Sequence, residues 1–286
     1  MSLCQKTSPM DTVRIADRHP LDEIIRSDRM PHIWCPGCGI GIVMRCYAQA
    51  ILESEIPQDK QVVVSGIGCS GRVAGYMNID SYHTTHGRAI PFAVGIKLAN
   101  PELMVTVFSG DGDLAAIGGN HLIHAARRNV DIKVICVNNF NYGMTGGQVG
   151  PTTPQGARGT TAPYGNPELP FNLPHLMAAC GANYLSRWTT VHPRQVKDDI
   201  ICTFAKSGFT FMEVLAPCPV GFGKSNSIET GLKEMELYRQ RCVWVNDGDV
   251  RAEELGIDLR EDQPIFIGNF IDQDRPAYKP AVAESG

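Results

Sequence analysis

The chain has 286 residues, 43% of them hydrophobic and 20% charged, with a formal net charge of −4. That length suits one large α/β domain with terminal extensions, and the mildly acidic balance leaves no electrostatic footprint for nucleic acid. No apolar run reaches the ~18 residues of a membrane span, and the polar start Met1–Lys6 lacks the apolar core of a signal peptide, so a cytoplasmic location is expected.

Residues 1–30 read as a polar, charged leader with a short helix around Leu21–Arg26. A Cys-x-x-Cys turn (Trp34-Cys35-Pro36-Gly37-Cys38-Gly39) precedes a helix. Gln61–Ser65 (QVVVS) and Leu103–Phe108 (LMVTVF) are apolar, β-branched strands ending at Gly-rich turns. A helix over Asp113–Arg128 and a strand over Ile132–Asn138 follow. The segment Asn141–Pro174, rich in Gly, Thr and Pro, is too long for an idle connection and is expected to be a binding loop. A helix over His192–Lys206 and a strand over Phe209–Leu215 complete the alternation. Such alternation predicts an α/β fold, a mostly parallel sheet with helices on both faces, with ligands at the carboxyl ends of its strands. After Pro219 the character changes. An amphipathic helix spans Gly231–Cys242, and the Pro- and Asp-rich remainder shows little periodicity, so it is expected to pack on the domain or on a partner subunit. The boundaries expected are 1–30, 31–223 and 224–286, and no internal repeat occurs.

Chemistry concentrates at the strand ends. Ser109-Gly110-Asp111-Gly112-Asp113 ends the second strand, and 25 residues, Asp113 to Val137, separate Gly112 from Asn138-Asn139-Phe140-Asn141-Tyr142-Gly143. Glycines let a backbone approach an anionic group, and a helix starting near Asp113 turns N–H donors toward it. The Asp111 carboxylate, the Asn139 amide and the Asn141 carbonyl are hard oxygen donors suited to Mg²⁺ shared with phosphate oxygens. Gly143-Met144-Thr145 adds flexible backbone and a hydroxyl beside the same pocket.

Ten cysteines are many for such a chain. Cys46, Cys136, Cys180 and Cys202 fall inside strand-like or helix-like stretches and read as packing residues. Cys35, Cys38, Cys69 (in Gly66-Ile67-Gly68-Cys69-Ser70-Gly71) and Cys218 (in Ala216-Pro217-Cys218-Pro219) lie instead at turns and strand ends. Four thiolates there suit either a [4Fe–4S] cluster or a structural Zn²⁺, and the Cys-x-x-Cys pair alone also suits thiol redox chemistry. Arg72 and Lys97 are cations suited to anionic ligands, with solvated surface as the bland alternative; for His86 the bland alternative is a polar loop residue.

Taken in order, Trp34–Gly39, Ile67–Ser70, Thr85-His86-Gly87-Arg88-Ala89-Ile90-Pro91, Gly110–Asp113 and Asn138–Gln148 resemble the β subunits of the 2-oxoacid:ferredoxin oxidoreductases, over residues 30 to 223. The resemblance implies a thiamine-diphosphate-binding fold of the diphosphate-binding type. It implies that Cys35, Cys38, Cys69 and Cys218 ligate one [4Fe–4S] cluster, and that Asp111, Asn139 and the Asn141 carbonyl hold Mg²⁺. It places Ile67, Gly68, Cys69, Ser70, His86, Gly110, Gly112, Asp113, Gly143, Met144 and Thr145 around the cofactor, with His86 in the catalytic position. The activity implied is reversible, coenzyme-A-dependent oxidative decarboxylation of a 2-oxo acid, with electrons passing through the cluster to ferredoxin. Pro219-Val220-Gly221-Phe222-Gly223-Lys224 favours the 2-oxoglutarate type over the pyruvate type. No glutamate-bearing pyrimidine domain can be placed in this chain, so an α subunit is expected to complete the site, in a heterodimer or a dimer of heterodimers. A non-catalytic zinc module and a thiamine-dependent lyase without electron transfer are the competing readings.

Overall fold

The computed structural model describes residues 19–228, 230–259 and 263–279. Its strands are β1 (Gln61–Ser65), β2 (Asp80–His83), β3 (Met104–Gly110), β4 (Lys133–Asn138), β5 (Asn141–Tyr142), β6 (Gln148–Val149), β7 (Tyr184–Thr189), β8 (Thr210–Leu215), β9 (Cys242–Val245) and β10 (Ile265–Asp272). The helices are α1 (Ile40–Glu53), α2 (Val73–Tyr76), α3 (Ala89–Ala99), α4 (Gly119–Arg127), α5 (Leu173–Ala179), α6 (Pro193–Ala205) and α7 (Gly231–Arg241). All strands except the β5–β6 hairpin join one sheet in the order β2-β1-β3-β4-β8-β7-β10-β9. Every neighbouring pair is parallel except β7–β10.

Buried parallel strands expose neither face, which is why they read as unbroken apolar runs. Alternate residues serve opposite layers. Val63, Phe108, Ile135, Val137 and Met212 face the layer holding α1 and α6. Val62, Val64, Val107, Val134 and Phe211 face α3, α4 and α5. Each such side chain contributes about 1.5–3 kcal/mol when removed from water. The chain leaves β1 toward β2 on one side and returns to β3 on the other. The carboxyl ends of β1 and β3 therefore flank a topological switch point, where open α/β sheets bind ligands.

Several sequence expectations need correction. The helix expected over Asp113–Arg128 begins as a π-type turn, Gly112–Ile117, closed by the Gly118 N–H on the Asp113 carbonyl at 3.1 Å, and only then becomes α4. Gly118 permits this, because a Cβ there would lie 2.4 Å from that carbonyl oxygen. The short helix near Leu21–Arg26 is a 3₁₀ turn over Pro20–Glu23. The segment after α7 is not structureless. It supplies β9 and β10, which extend the sheet past β7 and bury Val245, Ile265, Ile267 and Phe270. A register shift between Asn269 and Ile271 breaks the alternation that would have betrayed β10. Cys46 and Cys136 are buried as expected, but Cys202 is exposed on α6 and Cys180 only half-buried at the end of α5. Among the described residues no helix is long and apolar enough to cross a membrane.

Candidate functional site

Two clefts open at the carboxyl ends of the central strands. The first, 170 Å³, is lined by the loop after β1 (Ile67, Gly68, Cys69, Ser70), by His86, and by Gly112 and Asp113 after β3. Asn139, Asn141, Tyr142, Gly143, Met144 and Thr145 close its other side. Asp113 organises this cleft. Its carboxylate accepts the Ile67 and Gly87 N–H groups at 3.1 and 2.8 Å and the Ser109 hydroxyl at 2.9 Å. His86 Nδ1 lies 2.6 Å from Asp113 Oδ1. A carboxylate can only accept, so Nδ1 carries the proton and Nε2 is the ring nitrogen left for the cleft.

The glycines of this wall are there for space. A Cβ on Gly66 would sit 1.9 Å from Asp113 Oδ2, and one on Gly112 would sit 2.3 Å from the Tyr142 ring. Gly68, by contrast, has φ +123° with nothing within 4 Å of a built Cβ, so its backbone is bare toward open space. Such a cradle fits a diphosphate. Gly66→Ala is expected to displace Asp113, costing about 1–3 kcal/mol of stability, measurable by urea denaturation, together with a loss of thiamine diphosphate binding in titration.

Gly110 and Asp111 do not line this cleft. Gly110 backs onto Ser70, and Asp111 lies just behind, 2% exposed. Desolvation raises the Asp111 carboxyl to about 6, opposed by the Thr152 hydroxyl and by the Gly112 and Asn139 backbones. Thr152 Oγ1 donates to Asp111 Oδ2 at 2.5 Å. Asn139 and Asn141 are each 6% exposed, and the Asn141 amide donates to the Asn139 carbonyl at 2.7 Å. The Asp111 carboxylate, the Asn139 amide oxygen and the Asn141 main-chain carbonyl, hard oxygens on buried residues, fit a divalent cation.

The second cleft, 240 Å³, holds all four turn cysteines: Cys35, Cys38, Cys69 and Cys218. Desolvation pushes the Cys38 thiol up to about 12, and the neighbouring Cys218, Cys69 and Cys35 raise it further. Cys69 is raised to about 11, again chiefly by desolvation, then by Cys218 and Cys35. A positively charged metal centre would reverse this by binding the thiolates. The loops that carry these thiols are tied together. Trp34 Nε1 donates to the Cys69 carbonyl at 2.8 Å, and the Gly39 N–H donates to the Pro217 carbonyl at 3.0 Å. Helix α7 braces both cysteine turns, because Gly231 packs on Gly37 and buried Glu234 accepts the Cys218 N–H at 3.1 Å. No group of three or more His, Cys, Asp or Glu side chains among the described residues is arranged to hold a single metal ion. The two clefts share a wall made of Cys69, Asn139, Gly143 and Met144.

Comparison with known proteins bears on this geometry. Residues 66–214 match the model of the thiamine pyrophosphate enzyme C-terminal TPP binding domain. The chain is 49% identical over 261 residues to the 2-oxoglutarate synthase subunit KorB of Methanocaldococcus jannaschii, covering 91% of this chain and 94% of that protein. The chain belongs to the β subunits of the 2-oxoacid:ferredoxin oxidoreductases. Within that family it is also 51% identical over 248 residues to KorB of Archaeoglobus fulgidus, covering 87% of each. The 2-oxoglutarate:ferredoxin oxidoreductase from Magnetococcus marinus, solved with 2-oxoglutarate, coenzyme A and succinyl-CoA bound, superposes with a TM-score of 0.79 at 30% identity, over 93% of this chain and 89% of that one.

For this β subunit, motif reading named the residues of both clefts but missed those behind them. Thr152, which braces Asp111, carries no motif signal, and Ser109, although it opens the Ser109–Asp113 motif, gave no sign there that it braces Asp113. Thr152 lies within the loop expected to bind, and nothing in its composition separates it from Thr153 beside it. Of the two cations considered, Lys97 is not solvated surface: it pairs with Asp131 at 2.9 Å and donates to the Pro101 and Leu103 carbonyls. Arg72 is exposed.

Proposed function

We propose that this chain is the catalytic β subunit of an enzyme that oxidatively decarboxylates 2-oxoglutarate, forming succinyl-CoA and CO₂ and passing electrons to ferredoxin, reversibly. The observation that carries the reading is the wall shared by the cleft around Asp113 and a four-thiol cleft. Thiamine diphosphate supplies, when bound, the carbanion-stabilising centre that such decarboxylation needs. In this reading Ile67, Gly68, Cys69, Ser70, Gly110, Gly112, Asp113, Gly143, Met144 and Thr145 bind and shape the cofactor. Asp111, Asn139 and the Asn141 carbonyl hold Mg²⁺ against its diphosphate. Asp113 fixes the His86 ring so that Nε2 can hold or move a proton at the cleft. Cys35, Cys38, Cys69 and Cys218 hold a [4Fe–4S] cluster as the electron outlet.

Zinc is the weaker reading of the thiols. Zinc has no redox chemistry and cannot take electrons, whereas the thiamine pyrophosphate domain matched over residues 66–214 supports a reaction that needs an electron outlet. An α subunit over the cofactor cleft is supported by the apolar rim there, where Ile67 and Met144 are 43% and 46% exposed. The 2-oxoglutarate preference rests on the names of the relatives.

The test is anaerobic co-purification with the α subunit, followed by coenzyme-A-dependent viologen reduction across several 2-oxo acids. The highest kcat/KM is expected with 2-oxoglutarate, together with iron and acid-labile sulfide in the protein. A preference for pyruvate would overturn the substrate, and zinc without iron would overturn the cluster. Thiamine-dependent CO₂ release without viologen reduction would make the enzyme a lyase.

A further inference from the structure

Behind Asp111 a line of buried polar side chains runs sideways through the sheet, from Thr152 in the loop after β6 to one residue each on β4, β8 and β7. Thr152 lies 2.5 Å from Asp111 Oδ2 and 3.0 Å from Asn138 Oδ1 at the end of β4. Asn138 Nδ2 donates to Glu213 Oε1 on β8 at 2.7 Å, and Arg187 on β7 donates through Nε to Glu213 Oε2 at 2.6 Å. Arg187 then donates to the Leu255 carbonyl at 2.8 Å, in the segment between β9 and β10. Asp111, Thr152, Asn138, Glu213 and Arg187 are each no more than 3% exposed. A buried polar group is retained at a cost unless every member is satisfied, and this chain of bonds ends on a carboxylate of the cofactor site.

We propose that Arg187, Glu213, Asn138 and Thr152 form a relay that holds the Asp111 carboxylate in the orientation a divalent cation requires, with Thr152 as its positioning residue. The direction of each bond is fixed from the far end. Arg187 can only donate, so Glu213 accepts from it and from the Asn138 amide NH₂. That turns Asn138 Oδ1 toward Thr152, where it also accepts the Phe140 N–H at 3.0 Å. The single Thr152 hydroxyl proton is shared between two acceptors, Asp111 Oδ2 at 2.5 Å and Asn138 Oδ1 at 3.0 Å, with the shorter contact to Asp111 dominant. One Asp111 oxygen is thereby pinned and the carboxylate cannot rotate, leaving its remaining lone pairs for the cation. Outer partners of this kind set metal affinity by orienting the ligand rather than by touching the ion.

The inference rests on the proposed Mg²⁺ site, and its test separates the two. Mn²⁺ binding to the α–β complex with thiamine diphosphate present is titrated by the loss of the free-ion EPR signal. Thr152→Val is expected to weaken Mn²⁺ about tenfold, Thr152→Ser to stay within about twofold of wild type, and Glu213→Gln to weaken it about threefold. The Glu213→Gln effect arises because its new NH₂ opposes that of Asn138, and an amide turned round would set its NH₂ against the Phe140 N–H and displace the loop between Asn139 and Asn141. Unchanged affinity in Thr152→Val, or equal impairment of Val and Ser, would overturn the relay while leaving the site. Should Thr152→Val fail to fold, Thr152→Ala decides, since it removes the hydroxyl and leaves the Arg187–Glu213 pair intact; wild-type affinity there overturns the relay. Asp111→Ala with wild-type affinity would overturn the metal reading and the relay with it.

Discussion

Arg187→Met is expected to destabilise the chain by about 3–5 kcal/mol, because it strands an ionised carboxylate where water cannot reach it. Arg187 and Glu213 are cross-strand neighbours on β7 and β8, each 1% exposed and joined at 2.6 Å. Removing both charges is another matter. Arg187→Met with Glu213→Leu replaces the pair by apolar volume and is expected to recover most of the loss, since pairing and desolvation nearly cancel. For a chain of this size the single variant should melt roughly 10 °C lower, with the double variant within a few degrees of wild type by the same scaling. Additive losses in the two single variants and the double would show that the pair carries no coupling.

Cys218→Ser is the second large effect expected. Cys218 stands where β8 ends, with its N–H on Glu234 and its Sγ facing Asn141. A serine hydroxyl is a poor ligand for iron, so the anaerobically purified variant should retain under about a third of the wild-type iron and sulfide, and viologen reduction should fall by on the order of a hundredfold. Thiamine diphosphate binding should change little, because the diphosphate cleft does not include Cys218. A full cluster spectrum in this variant would remove Cys218 from the ligand set.

How much of this was legible beforehand differs from element to element, for physical reasons. β1, β4 and β8 were readable because a parallel strand buried on both faces is apolar along most of its length, their polar residues falling chiefly at the ends. β7 was not, because its YLSRWT run carries Ser186 and Arg187 into the core, bonded to Asp199 and Glu213 respectively. β2 escaped as an exposed edge strand, and β10 because Gly268 and its register shift interrupt the period. Both clefts were legible as motifs, since glycines, paired asparagines and spaced cysteines are types that the chemistry itself demands. The relay was not, because Thr152, Glu213 and Arg187 are common residues that acquire their roles only through which strands lie side by side.

The partition between the clefts has a consequence for how such a protein can change. A Cβ on Gly143 would meet Cys218 Sγ at 3.2 Å and Asn141 Oδ1 at 3.4 Å, narrowing the gap on the side of the thiols and on the side of the asparagines at once. No substitution at that position can adjust one compartment and spare the other. The two clefts are thus bound to a common tolerance at this position, and a side chain added there alters both together.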